Sequence, residues 1–443
     1  MSRTAAPGGA GAAGVTAPPA ITAREVLPNG LVLIVRENHA NPTVALQGLV
    51  KAGAIFDPPG RSGLAAFTAT MLDQGTLTRT AFEQAAAVEN LGASLRFEGG
   101  LETVSVQGNM LAGDLEAVLT ALADALRNPV FPAEPIEQVR GELLNEFRIA
   151  ENSTASVAAR RANELLYPEN HPYHHPTAGT EPDLRAITRD DLVSFHERHY
   201  GPERTVVVLV GDVTPARARE IVTAAFGSWR GVPNAPPFLV PDAPPPTEPR
   251  TLVVSRPGKS QTDVVFALPG IARTSSDFQP TMMMNYVLGG GSLSSRLMDS
   301  LRDKQGLVYG VYSGMVAGIG AGPLQVRAGT NPGNVSRAIS AIVDVVSKLH
   351  DEGPTETEME EAKGYLTGVF PVRLETNAGV AGQLLNAELY GLGLDYIERY
   401  PSIIRDITRA QTHEAAKKYL STRAYALVTA GPAEEGDGSR DAI

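Results

Sequence analysis

Residues 63–76 read Gly-Leu-Ala-Ala-Phe-Thr-Ala-Thr-Met-Leu-Asp-Gln-Gly-Thr, and this stretch decides the fold. Leu64, Phe67 and Met71 recur at helical spacing, so they form one apolar stripe. Ser62 is placed to cap the start of the helix with its hydroxyl group. The stretch therefore predicts a short amphipathic helix that packs on a core.

Three positions beside this stripe carry no group that binds a metal ion. Ala66 and Thr70 lie one helical turn apart, and Ala69 lies between them. Zinc sites in proteins are built from imidazole, thiolate and carboxylate ligands, and none of these three side chains supplies one. The helix alone therefore predicts no metal site.

The same stretch resembles the zinc-binding helix of the pitrilysin, insulinase and mitochondrial-processing-peptidase family, which reads Gly-Leu-Ala-His-Phe-x-Glu-His-Met-Leu-x-x-Gly-Thr. In active members the two histidines bind zinc and the glutamate acts as a base on the metal-bound water. The flanking residues match at Gly63, Leu64, Ala65, Phe67, Met71, Leu72, Gly75 and Thr76. The resemblance implies a member in which Ala66 and Thr70 replace the histidines and Ala69 replaces the glutamate.

The family's third zinc ligand is a glutamate far downstream of the helix. Glu146 stands at that spacing, 76 residues after Thr70. A single carboxylate without two imidazoles does not retain zinc. We therefore expect Glu146 to be a solvated helix residue, and we expect no metal on this chain.

The composition is that of a globular protein with two or more domains. The chain has 443 residues, of which 43% are hydrophobic and 20% charged. The net charge of −11 argues against a nucleic-acid partner, which needs clustered basic residues. The sequence contains no cysteine, which excludes disulfides and thiol catalysis. No apolar run reaches the ~18–20 residues that a membrane-spanning helix needs.

The sequence is compatible with two cellular compartments. Residues 1–20 are rich in Ala, Gly and Pro, which predicts a flexible segment, and they lack the apolar core of a signal peptide. We expect either a bacterial periplasmic protein whose signal segment lies outside this sequence, or a cytoplasmic one.

The second half of the chain repeats the first. A strand predicted at 262–268 corresponds to one at 44–50, and a periodic helix predicted at 335–349 corresponds to one at 115–127. Ile-Thr-Arg at 407–409 follows Ile-Thr-Arg at 187–189 by 220 residues, and a proline-rich linker predicted at 230–249 separates the halves. We predict an α+β fold of two homologous domains, each an antiparallel-rich sheet with helices packed on one face. The predicted boundaries are 1–20 for the flexible segment, 21–229 and 250–431 for the domains, and 432–443 for a disordered tail.

Two further motifs have a functional and a structural interpretation. The segment His-Pro-Tyr-His-His-Pro at 171–176 suggests a metal site, but no ligand set completes it, so a surface turn is favoured. Gly289, Gly290 and Gly291 suggest a phosphate loop but lack the Gly-Lys-Ser/Thr ending. A permissive turn that lines a peptide cleft is favoured there.

The most specific positive signal spans 294–313. Ser294 is placed to cap a helix over 295–304, Gly306 to end it, and a strand is predicted over 307–316. Arg302 and Tyr309 lie on either side of this corner and are expected to converge. From the residues alone, a helix-end cation and a core-edge aromatic remain the favoured interpretation.

The family resemblance gives this pair a function. It implies that Arg302 binds substrate carbonyl groups and that Tyr309 donates a hydrogen bond to the oxyanion of the tetrahedral intermediate. It also implies that the zinc belongs to a homologous partner subunit that carries H-x-x-E-H. The chain is then the non-catalytic, substrate-binding subunit of a heterodimeric zinc peptidase that cleaves peptides, and it is inactive alone.

Two alternatives remain. The chain could be a catalytically dead structural or assembly protein with the peptidase fold, in which Arg302 and Tyr309 are packing residues. It could also be a peptide-binding module that acts alone.

Overall fold

The computed structural model describes residues 22–432. The predicted flexible segment at 1–20 and, apart from Pro432, the predicted tail at 432–443 lie outside these residues. Within residues 22–432, each helix is too short or too polar to cross a lipid bilayer.

The described chain contains two sheets. The first sheet has the strand order β1-β2-β6-β3-β5-β4 and the second has the order β7-β11-β8-β10-β9. The strands are β1 Thr22–Val26, β2 Val32–Glu37, β3 Thr43–Val50, β4 Ser94–Gly99, β5 Val104–Leu111, β6 Thr205–Gly211, β7 Arg250–Ser255, β8 Thr262–Pro269, β9 Val308–Met315, β10 Pro323–Thr330 and β11 Ala426–Gly431.

Both sheets have the same topology once β1 is set aside. The β2 and β6 strands pair in parallel, as do β7 and β11, and every other neighbouring pair is antiparallel. The order β2-β6-β3-β5-β4 thus corresponds strand for strand to β7-β11-β8-β10-β9. The predicted fold class, with antiparallel-rich sheets and packed helices, is confirmed.

Fourteen α-helices are present in the described residues. They are α1 Leu64–Thr70, α2 Ala81–Glu89, α3 Leu115–Arg127, α4 Ala133–Asn152, α5 Thr154–Leu166, α6 Glu181–Ala186, α7 Arg189–His199, α8 Pro215–Phe226, α9 Phe278–Asn285, α10 Val335–Glu352, α11 Glu356–Arg373, α12 Asn377–Leu389, α13 Tyr396–Asp406 and α14 Arg409–Tyr419. Two π-helical segments, Tyr286–Gly290 and Met298–Lys304, belong to the second half.

One face of each sheet packs on helices of its own half. In the first half, β2, β3 and β5 pack on helices that include α1, α3, α7 and α8. In the second half, β8, β9 and β10 pack on helices that include α10 and α14. The periodicity of α3 and α10 predicted these contacts, because apolar residues at helical spacing form one face.

The other face of each sheet is covered by a helix of the opposite half. Helix α12 contributes Ala381 and Leu384, which pack on Ile34, Val206 and Val208 of the first sheet. Helix α5 makes the reciprocal contact, with Val157, Ala158 and Ala162 packed on Val265, Ala267 and Val428 of the second sheet. The expectation that helices cover one face of each sheet is thereby extended: a helix of the opposite half, the exchanged helix, packs on part of the other face of each sheet.

Polar contacts accompany the exchanged helices. Arg24 of β1 forms two hydrogen bonds with Glu388 of α12, at 2.8 and 2.7 Å. At the second sheet, Asn163 of α5 accepts a hydrogen bond from Gln325 at 2.8 Å. These pairs fix the register of each exchanged helix on its sheet.

A buried carboxylate also joins the halves. Glu102, which follows β4, accepts the backbone N–H of Ile319 at 2.8 and 3.0 Å and the hydroxyl hydrogen of Tyr173. The Tyr173 hydroxyl oxygen in turn accepts the N–H of Gly320 at 3.1 Å. The loop between β9 and β10 is thus fixed to the first half.

A buried histidine in α7 links the folding of the first half to pH. His199 is 6% exposed and stacks on Phe56 at 4.6 Å between ring centroids. Burial lowers its pKa to about 4, with smaller contributions from the positive charges of Arg204 and Arg198. The folded chain therefore keeps this imidazole neutral where an unfolded chain has protonated it.

We expect stability to fall between pH 6.5 and pH 4. The unfolded chain binds the proton below pH 6.5 and the folded chain does so only near pH 4, so the free energy of unfolding decreases as the pH falls. His199→Phe removes the titrating group and keeps an aromatic ring, so its acid unfolding midpoint should move to lower pH. His350→Gln, at a half-exposed position, should leave the midpoint unchanged; circular dichroism across pH measures both.

Candidate functional site

The α1 helix places the altered zinc-motif residues as the sequence predicts but gives them no metal chemistry. Ala66 and Thr70 are half-exposed on one face, and the Thr70 hydroxyl donates a hydrogen bond to the Ala66 carbonyl at 3.1 Å. Ala69 is fully buried in the core. The donor set on this helix therefore does not fit a zinc ion.

The side chain of Asp57 caps the start of α1, so the prediction that Ser62 caps it is wrong. Asp57 accepts the backbone N–H groups of Gly63 and Ala65, both at 2.8 Å. Ser62 instead donates its hydroxyl hydrogen to the carbonyl of Pro176 at 2.9 Å. A carboxylate at the N-terminus of a helix satisfies free N–H groups and complements the helix dipole.

The downstream carboxylate lies in the solvent. Glu146 is exposed on α4. Within residues 22–432 no three His, Cys, Asp or Glu side chains are grouped so that they could hold a metal ion.

The histidines at 171–176 take part in the protein's own hydrogen bonding. His171 contacts the Pro241 carbonyl at 2.9 Å, His174 the Tyr167 carbonyl at 2.8 Å and His175 the Glu169 carbonyl at 2.8 Å. The expected surface turn is wrong in one respect, because His171 is buried. The segment helps to join the first half to residues that precede the second sheet.

Arg302 lies in a helix of unusual form. The predicted helix over 295–304 is present from residue 296, and its Met298–Lys304 part is π-helical. Gly306 adopts a left-handed φ of 59°, and the Leu307 N–H donates to the Leu301 carbonyl at 2.8 Å, so the predicted helix end is confirmed. The cap comes from Ser295 rather than Ser294, since the Met298 N–H donates to the Ser295 hydroxyl at 3.4 Å.

An ion pair anchors this helix. Arg296 donates to both carboxylate oxygens of Glu358 on α11, at 2.6 and 2.8 Å, and to the Gly353 carbonyl at 2.9 Å. Both partners are largely shielded from solvent, which makes such a bidentate pair geometrically specific. The start of the helix that carries Arg302 is thereby fixed.

Tyr309 occupies an irregularity of the sheet. On β9, Val308 pairs with Thr330 and Gly310 pairs with Gly329, so Tyr309 has no partner on β10. Such a β-bulge turns the side chain of the extra residue away from its regular direction. Val308 and Val311 remain buried, whereas Tyr309 is 88% exposed.

The two side chains converge, as the sequence predicts. The Arg302 guanidinium carbon lies 5.9 Å from the centre of the Tyr309 ring. Apart from a contact of 4.0 Å to the Met298 sulfur, the Arg302 side chain has no hydrogen bond to the residues described. An exposed donor fork and an exposed phenol at one place are suited to bind an external acceptor.

The glycines near this site do not form the expected permissive turn. Gly289 and Gly290 end the π-helical segment Tyr286–Gly290. A β-carbon on Gly289 would lie 2.5 Å from the backbone nitrogen of Ser313 on β9. Glycine is required at position 289 because the helix and the strand make close backbone contact.

A pocket of about 230 Å³ adjoins Tyr309 on the face of the sheet that α5 partly covers. Tyr312 and Arg327 line it, and sequence reasoning identified neither. Their spacing of fifteen residues gives no signal, because the pairing of β9 with β10 alone brings them together.

Two family models match this chain. The model described as insulinase (peptidase family M16) matches residues 32–181, and the model described as peptidase M16 inactive domain matches residues 186–366. Together they span most of both halves.

Relatives and solved structures are similar over nearly the whole chain. An uncharacterized zinc protease of Mycobacterium leprae is 29% identical over 92% of this chain and 91% of its own length. A non-peptidase homolog of Helicobacter pylori is 24% identical over 93% and 94%. A crystal structure of a peptidase M16 inactive domain from Pseudomonas fluorescens has a TM-score of 0.87 at 26% identity, covering 93% of this chain and 98% of that one.

Proposed function

The chain belongs to the M16 (insulinase) family of peptidases, and from that premise we propose that it is the non-catalytic, substrate-binding subunit of a heterodimeric zinc peptidase. One observation carries the proposal. Arg302 and Tyr309 meet at an exposed site, while the helix that would hold zinc has Ala66, Ala69 and Thr70 in place of its ligands and base.

Each of the two side chains has a defined chemical task in peptide hydrolysis. Arg302 is permanently charged and presents several N–H donors, so it can hold substrate carbonyl groups. Tyr309 can donate its hydroxyl hydrogen to a carbonyl oxygen as negative charge develops on it. Donors that are already in place for that charge lower the barrier more than they strengthen substrate binding.

The hydrolytic water must then be activated elsewhere. A homologous subunit with an intact H-x-x-E-H motif would hold the zinc ion, which activates water and polarises carbonyl groups. Neither subunit has both parts of the site. Because the reaction requires both parts at one amide bond, each subunit alone should be inactive.

The names of the relatives are consistent with a family divided in this way. The Mycobacterium leprae relative is called a zinc protease, and the Helicobacter pylori relative is called a non-peptidase homolog. The latter name also favours the alternative of a scaffold protein, in which Arg302 and Tyr309 take no part in catalysis. The two functions differ in whether these side chains affect turnover.

Reconstitution tests the proposal. The purified chain, its zinc-carrying M16 homologue from the same source and their mixture are assayed for bound zinc and for cleavage of a quenched fluorescent peptide library. We expect no stoichiometric zinc and no cleavage for the isolated chain, and cleavage by a 1:1 complex. Peptidase activity or stoichiometric zinc in the isolated chain would refute the proposal.

A further inference from the structure

Two glycines on β9 are not required by the packing of the chain. A β-carbon built on Gly310 or Gly314 meets no atom within 4 Å, and neither residue has a left-handed φ. Glycine inside a strand weakens it, and such positions often mark where another backbone approaches. These two glycines therefore leave space above the strand for something outside the chain.

This space lies on an open sheet face beside Tyr309. Tyr312, between the two glycines, pairs across the sheet with Arg327 of β10, and Arg327 pairs with Val265 of β8. Helix α5 covers Val265 on this face. The β9 strand is at the sheet edge and extends beyond that cover, so Tyr312 is 53% exposed.

Two nitrogen atoms of the Arg327 guanidinium form hydrogen bonds within the chain, and the third does not. Its Nε and Nη2 donate to the Gln325 side-chain oxygen at 2.9 and 2.6 Å. Gln325 is buried and donates to Asn163 of α5 at 2.8 Å. The Nη1 group has no partner, and Arg327 has no ion pair, among the residues that the structure describes.

Two guanidinium groups and one carboxylate lie in or beside this groove. Asp263 lines the pocket and keeps its negative charge, because the groups that donate to its oxygens, Thr154 at 2.5 Å and Gln261 at 3.2 Å, are neutral. Arg302 adds a second guanidinium beside Tyr309. The groove therefore favours a ligand that brings a carboxylate, because a fixed guanidinium binds carboxylate with directional hydrogen bonds.

We propose that the open face of β9 and β10 is a substrate groove in which Gly310 and Gly314 admit the peptide main chain and Arg327 selects an acidic side chain near the bond held at Tyr309. This inference rests on the proposed function. It adds a specificity for peptides that carry aspartate or glutamate close to the cleaved bond.

Paired peptides test the selectivity. Fluorescein-labelled 12-residue peptides carry a single Glu at each position in turn, and their twins carry Gln; binding to the full chain is followed by fluorescence anisotropy. We expect at least one Glu peptide to bind about tenfold more tightly than its Gln twin. Arg327→Gln should remove that preference, and Arg337→Gln, which changes an exposed arginine on α10, should preserve it.

Replacement of Gly310 tests whether the space above β9 is used for peptide binding. Gly310→Val should leave the thermal midpoint unchanged or raise it, because the added β-carbon meets no atom within 4 Å and valine favours a strand, while peptide binding falls about tenfold or more. Gly364→Ala on α11, where a β-carbon also meets nothing within 4 Å, should alter stability without altering binding. A lower midpoint for Gly310→Val would mean that this glycine serves folding.

The outcomes separate this inference from the proposed function. Equal binding of Glu and Gln peptides, or a preference that survives Arg327→Gln, overturns the inference while leaving the subunit proposal in place. Absence of peptide binding by both the chain and the reconstituted complex overturns both.

Discussion

Tyr309→Phe should lower kcat of the reconstituted complex about 100- to 1,000-fold, the effect of removing one oxyanion donor from a hydrolase site. The ring and its contact with Arg302 remain, and only the hydroxyl group is lost. Because that hydroxyl group acts on charge that develops in the transition state, KM should change little. Steady-state cleavage of a quenched fluorescent peptide measures both constants.

A matched tyrosine separates this effect from a general loss of packing. Tyr365 is 54% exposed on α11, and its ring contacts Tyr286 rather than Arg302 or Tyr309. Tyr365→Phe therefore removes a similar hydroxyl group from outside the pair and should leave kcat unchanged. If Tyr309→Phe also leaves turnover unchanged while the complex stays intact in gel filtration, the chain is a scaffold in which the Tyr309 hydroxyl group has no catalytic part.

Arg302→Ala extends the same test to substrate binding. Loss of the guanidinium should raise KM and lower kcat/KM, because the substrate carbonyl groups lose charged donors. Lys304→Ala removes a neighbouring cation of the same π-helix, which is paired with Asp299 at 2.6 Å, and should have little effect.

The second large effect concerns folding: neither half should fold when it is expressed alone. A fragment 22–249 would expose the sheet face formed by Ile34, Val206 and Val208, which α12 covers in the whole chain. A fragment 250–432 would expose the face that α5 covers. Exposed apolar sheet faces of this extent favour aggregation over a unique fold.

We expect each fragment to lack a cooperative thermal transition and mixing to restore one. Circular dichroism and gel filtration of the fragments, separate and combined, measure this. As a control, a protease site introduced in the 230–249 segment should permit cleavage of the folded chain into two fragments that stay associated. A stable monomer with cooperative unfolding from either fragment would contradict the expectation.

Much of the fold could be predicted because local patterns and tertiary packing agree. The predicted helix at 115–127 coincides with α3, and the strands predicted at 44–50 and 262–268 differ by one residue at an end from β3 and β8. Helices α11, α12 and α13 were not predicted. In α11 and α12 the apolar residues are not confined to one face, so no single helical stripe marks these helices. Helix α13 has such a stripe, but its internal Pro401 favours a break in a helix.

The sequence by itself determined the chemical inventory: no zinc ligands at Ala66, Ala69 and Thr70, and an Arg302–Tyr309 pair at a helix–strand corner. Only the tertiary structure decided where those groups point. A π-helix and a β-bulge orient the pair, and strand pairing brings Arg327 beside Tyr312. Side-chain chemistry is a property of each residue, whereas orientation depends on hydrogen bonds between segments far apart in the chain, which no local pattern records.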